Sequence, residues 1–85
     1  MSLSGWVYEM ETPTAGEPAL GGVLVEVTNT DGSIESDLTA DDGSYRVLLR
    51  PGRVRVTVSK NGYAPESSDV HALSDIVLNF SLRPI

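Results

Sequence analysis

Three aspartates, Asp37, Asp41 and Asp42, lie close together ahead of Gly43 in "SDLTADDGS". Carboxylate oxygens at such spacing could gather around a hard cation such as calcium, which takes roughly six to eight oxygen ligands. The stretch is too short for an EF-hand loop, and no glutamate closes it at the required offset. Asp and Gly also build ordinary turns, in which the carboxylate accepts nearby backbone N–H groups. Both readings start from the same residues. The only histidine, His71, has no nucleophile or metal-ligand cluster beside it, and Ser67, Ser68 and Ser74 read as a polar loop. General base chemistry needs a positioned partner, so no catalytic residue is assigned. The chain has no cysteine, which excludes disulfides, thiol chemistry and Cys-based zinc sites.

The arginines form the more unusual pattern. In "SYRVLLRPGRVRV", Arg46, Leu48 and Arg50 alternate on one side of Pro51-Gly52, and Arg53 and Arg55 follow it. If Pro51-Gly52 is a two-residue hairpin corner, Arg50 lies opposite Arg53 and Leu48 opposite Arg55. Facing like charges are mildly unfavourable, so a compensating anion is expected. Glu26, Glu35 and Asp37, on positions that read as outward-facing, could supply it from neighbouring strands. Alternatively, Arg46, Leu48, Arg50, Arg53 and Arg55 together form a surface for an acidic partner domain, with an arginine and its adjacent leucine as anchor. Trp6 and Tyr8 give a third chemistry. With Val7 inward, alternation leaves both aromatics on the opposite face, where they could stack on a sugar ring. The competing structural role for Trp6 is to cover a sheet edge or pack under the connection from residue 9 to 21. Tyr45 and Tyr63 read as framework residues. Asn79 begins an Asn-Phe-Ser glycosylation pattern, but inside an expected strand.

Strands must position all of these groups, because alternation dominates the chain and no helical period persists. "LSGWVYEM" reads as a first strand, followed by a long connection over "ETPTAGEPALGG". In "VLVEVTN", Val23, Val25 and Val27 share a face. "NTDG" reverses the chain, and "SIESDLTA" sets Ile34 and Leu38 apart from Glu35, Asp37 and Thr39. Tyr45, Val47 and Leu49 point inward along the next strand, and Val54, Val56 and Val58 along the one after. "NGYAPESS" reads as a loop and "DVHALS" as a weak extended piece. "DIVLNFSL" closes the domain with Ile76, Leu78, Phe80 and Leu82 directed to the core. About seven short strands with regular turns predict an all-β, small antiparallel β-sandwich, since each valine-lined sheet needs a second to cover it.

Length and charge narrow the function. Eighty-five residues are expected to make one domain, spanning 1–85 and excised from a larger protein. Twelve acidic residues against six basic ones give a net charge of -6. That balance opposes nucleic-acid binding and docking on anionic membranes. No apolar run is long enough to span a bilayer, and no signal peptide opens the chain.

"SGWVYEM", "ALGGVLVEVTN", "LTADDGSYRVLLRPGRVRVTVSKNGY" and "DIVLNFSL" together resemble the carboxypeptidase regulatory-like domains, which belong with the transthyretin-like and Cna-B-like sandwiches. Gly5 and Val7 match the opening Gly-x-Val, and Gly22 and Val23 the start of the second strand. Thr39, Asp41, Gly43, Tyr45 and Pro51-Gly52 match the central signature, Gly62 and Tyr63 the Gly-Tyr that follows, and Leu78 the closing strand. Where the family often carries a Tyr after Pro-Gly, this chain has Arg53-Val54-Arg55. The resemblance implies a prealbumin-like, immunoglobulin-like Greek key without an active site or cofactor. It further implies a module that supports, spaces or docks neighbouring domains or another protein. Such a parent protein would be secreted, displayed at the cell surface or periplasmic. A carbohydrate-binding module using Trp6 and Tyr8 is the alternative.

Overall fold

The computed structural model describes residues 1–10 and 18–85. Its strands are β1 (Ser2–Glu9), β2 (Leu24–Thr28), β3 (Ile34–Leu38), β4 (Ser44–Leu48), β5 (Gly52–Ser59), β6 (Glu66–Ala72), β7 (Ile76–Val77) and β8 (Phe80–Leu82). One sheet runs β4–β1–β7, with β8 also paired to β1; the other runs β3–β2–β5–β6. The all-β sandwich is therefore as expected. The long connection expected over residues 11–22 lies outside the described residues from 11 to 17. Its described end places Leu20 in the core.

Period-two alternation builds the interior. Val23, Val25, Val27, Val56 and Val58 are fully buried from the second sheet, facing Leu3, Val7 and Leu82 from the first. Tyr45, Val47, Leu49 and Val54 complete the layer. Each such side chain contributes about 1.5–3 kcal/mol on burial, and β-branched residues suit the pleated surface that carries them.

Four expectations change. First, Pro51-Gly52 is not a hairpin corner. β4 pairs with β1, whereas β5 lies between β2 and β6. The corner thus carries the chain from one sheet to the other. Alternation cannot distinguish the two, because both routes keep Tyr45, Val47 and Val56 facing the same interior. Second, Glu35 and Asp37 are not outward-facing. They are the Cα partners of Val27 and Val25, so they lie on the core side of β3 at the sheet's edge. Ile34 and Leu38 are the exposed residues, 58% and 60% accessible. Third, β6 begins at Glu66 and is seven residues long, so Ser67 and Ser68 belong to a strand. Its full-length pairing with β5 imposes the extended conformation that its own polar residues do not announce. Fourth, the closing strand is broken in two, and both halves run parallel to β1.

The break has a specific construction. Gly5 and Tyr45 are direct partners across β1 and β4. A Cβ on Gly5 would collide with the Leu78 carbonyl oxygen, which sits over that empty position. The Tyr45 hydroxyl donates a hydrogen bond to the same carbonyl. Leu78 N–H donates to Ser4 O at 2.9 Å, while the Trp6 N–H donates to Asn79 Oδ1, also at 2.9 Å. A side-chain amide thereby replaces a main-chain carbonyl where the ladder is interrupted.

A second polar anchor joins the sheets. Buried Thr39 accepts from Val23 N–H at 2.9 Å and donates to Leu20 O at 2.7 Å. Just beyond it, Gly43 adopts φ +82° and leaves no room for a Cβ beside Val7 O. Only glycine suits both conditions.

Two measurements follow from the Leu78 contact. Gly5→Ala should lower unfolding stability by about 1–3 kcal/mol through forced overpacking, read from urea denaturation. Burial pushes the Tyr45 hydroxyl up to about 12 from its ordinary value of 10.0. A folded-state value above the unfolded one favours the protonated form in the fold, so this stabilisation is complete below pH 10 and disappears as pH rises through about 12. Urea midpoints should fall across that window in the wild type, and Tyr45→Phe should remove this part of the decline.

Candidate interaction surfaces

Separate sheets divide the arginines. Arg46 and Leu48 lie on the outer face of the β4–β1–β7 sheet, while Arg53 and Arg55 lie on the outer face of the β3–β2–β5–β6 sheet. The single arginine face expected from a hairpin does not form, because its two strands belong to different layers. The facing-charge problem disappears with it.

Each arginine meets different surroundings. Arg55 Nε lies 3.0 Å from Asp69 Oδ1, and Nη2 lies 3.4 Å from Oδ2. This fork-like contact holds Asp69 below the ordinary aspartate value and raises Arg55. Both side chains are exposed, so solvent screens the pair. Arg50 Nη2 approaches Glu35 Oε1 at 3.9 Å across the β3 edge. Of the three expected counter-ions, Glu35 alone meets an arginine side chain among the described residues; the decisive partner, Asp69, lies in β6. Its placement directly opposite Arg55 required the β5–β6 register.

Trp6 stands where alternation predicts. It is 43% exposed on the outer face of β1, with Tyr8 half-buried two positions along. The Cα partners of this face bring Leu48 beside Ser2, Arg46 beside Ser4, and Val77 on the other side of Ser4. Leu48 and Val77 are 54% and 67% exposed. The result is an outer face on which the exposed apolar side chains of Trp6, Leu48 and Val77 stand around Arg46 and the serines of β1 and β4.

The aspartates act inside the fold. Asp42 Oδ1 accepts from Ser44 N–H at 2.9 Å and Ser44 Oγ–H at 2.6 Å. Asp31 makes the same two bonds to Ser33, at 2.9 and 2.6 Å. The two "DGS" segments are therefore equivalent turns, a repetition visible in the sequence but not singled out from it. Asp37 Oδ2 accepts from the backbone N–H of Arg46 at 3.2 Å. Asp37, Asp41 and Asp42 are not gathered, and among the described residues no three acidic or histidine side chains are placed to hold a metal ion. Asn79 is committed to Trp6 N–H. Tyr63 donates to Glu9 Oε1 at 2.6 Å, and this bond, with burial second, raises its hydroxyl value. His71 lies opposite Arg53 on β6 and is exposed.

The family profile for the carboxypeptidase regulatory-like domain matches residues 4–83. The chain belongs to that family. Its Gly-x-Val, Thr39, Gly43 and Tyr45 signature residues are the ones that build the Leu78 contact and the Thr39 anchor. Among solved structures, the domain is similar to a chain in the crystal structure of a Coh3ScaB–XDoc_M2ScaA complex from Acetivibrio cellulolyticus, described as a C-terminal interface mutant of a type II cohesin–X-dockerin complex. The TM-score is 0.75 at 22% identity, covering 100% of this chain and 55% of that one. The likeness is one of fold. No curated protein matches the domain.

Hydrogen bonds from Ser33 and Ser44 hold Asp31 and Asp42 below their ordinary value of 3.8. A depressed folded-state value stabilises the fold above the unfolded value and loses that contribution as pH falls through the folded one. Stability should therefore decline on acidification below 3.8. In an Asp31→Ala/Asp42→Ala variant, the melting temperature should be lower at neutral pH and depend less on pH in the acid range.

Proposed function

We propose that this domain is a non-catalytic accessory module that supports and docks a neighbouring protein domain in a secreted or surface-displayed polypeptide. The outer face of the β4–β1–β7 sheet is the docking surface. One observation carries the reading: Trp6, Leu48 and Val77 are exposed together around Arg46, on a sheet whose other face is committed to the core. Exposed apolar side chains that include an aromatic residue, beside an arginine, are characteristic of interface cores. Family membership supports the non-catalytic reading, and the polar groups agree with it, since their bonds serve turns, anchors and strand edges. The fold likeness to a chain from a cohesin–X-dockerin complex agrees with a role in protein assembly.

A carbohydrate platform is the second reading, favoured by the shared outward placement of Trp6 and Tyr8. Hydrogen–deuterium exchange separates docking from free display. In the parent polypeptide, Ser2–Tyr8 and Ser44–Leu48 should exchange more slowly than in the isolated domain. Trp6→Ser/Leu48→Ser should abolish that difference without lowering the isolated domain's melting temperature. Equal exchange in both settings would refute docking through this face, and quenching of Trp6 fluorescence by a polysaccharide would favour the sugar reading.

A further inference from the structure

The strand edges are not equally protected. On β4, the outward amide groups of Ser44 and Arg46 are covered by the carboxylates of Asp42 and Asp37. β7 and β8 are only two and three residues long and are interrupted at Leu78 and Asn79. β3 points two carboxylates, Glu35 and Asp37, toward the core side of its edge. Short strands, bulges and inward charges all discourage a further strand from pairing.

β6 differs. It pairs with β5 along all seven of its residues, and among the described residues no backbone hydrogen bond leaves its other side. It contains no proline, and Val70 and Ala72 face the core beside that open edge. Leu73, immediately after it, is 75% exposed. The one inward charge, Glu66, stands at the far end of the strand.

The order of residues on this edge says what fits it. Lay a second β6 antiparallel against the first, with Val70 opposite Val70. Asp69 of each copy then faces His71 of the other, Ser68 faces Ala72, and Ser67 faces Leu73. A carboxylate stands across the seam from an imidazole that can donate a hydrogen bond to it on the outer face, and valine meets valine on the core side. The arrangement is self-complementary about a two-fold axis, as an isologous interface must be. Flanking residues agree with it. Arg55 sits beside Asp69 and Arg53 beside His71 on β5, so each seam row reads Arg55, Asp69, His71 and Arg53 across the two copies. The acidic group lies between the basic ones instead of against another carboxylate.

We infer that β6 is a self-association edge, through which two copies of this domain join their β3–β2–β5–β6 sheets into one continuous eight-stranded sheet. The occupant is a second copy of the chain, and the surface is separate from the outer face containing Trp6.

Charge exchange tests the register. Sedimentation equilibrium over a wide concentration range should show a monomer–dimer equilibrium for the wild type. His71→Asp would set Asp69 against a carboxylate in both symmetric rows, and association should weaken by about tenfold or more. Asp69→His/His71→Asp restores an acidic–basic match across the seam, with Arg53 now beside the carboxylate, and should recover dimerisation. Circular dichroism melts check that each variant is folded; both positions are exposed. A wild type that stays monomeric to millimolar concentration would overturn the inference. So would His71→Asp dimerising as tightly as the wild type, or the double variant failing to recover.

Discussion

A single carbonyl oxygen, that of Leu78, organises much of this domain. It turns away from regular strand pairing into the sandwich, where an acceptor without a donor costs about 1–3 kcal/mol. Two residues from other strands make the position tenable. Gly5 leaves it space, and Tyr45, directly across from Gly5, supplies the hydroxyl. Because Asn79 then repairs the ladder at Trp6 N–H, the closing segment is locked to β1 although its strand is broken. Trp6 itself faces outward by alternation with buried Gly5 and Val7, and its backbone N–H is the donor that Asn79 satisfies.

The charged residues divide in an instructive way. Of the carboxylates that look like ligands in the sequence, Asp42 closes a turn, as Asp31 does at the equivalent position, and Asp37 caps an edge amide. Each satisfies a donor at a place where the chain leaves a sheet or a sheet ends. The arginines instead remain at the surface, spread over both layers. The surfaces proposed for recognition are the outer face around Trp6 and the long β6 edge.

Much was legible beforehand because the signals are local. Alternating valines report which face of a strand is buried, and the "DGS" segments and Gly62 report reversals. The family signature was readable for the same reason, since its glycines and tyrosine are tied to particular backbone needs. Beyond that reach lay anything that depends on which strands become neighbours. Glu35 and Asp37 looked outward by polarity, yet the pairing of β3 with β2 places them on the core side. Asp69 could not be matched to Arg55 while its segment read only as a weak extended piece with no neighbouring strand assigned to it.

By itself, then, the sequence determined an all-β chain, the inward set of valines, the sites of chain reversal, the outward placement of Trp6, and membership in a family of regulatory-like sandwiches. Tertiary structure decided the partner of every strand. It made Pro51-Gly52 a crossing between layers, separated Arg46 from Arg53 and Arg55, and left β6 at an open edge. The physical reason is that period-two alternation encodes a face and not a neighbour. Hydrogen-bonded pairing is set only when both sheets close over a common core.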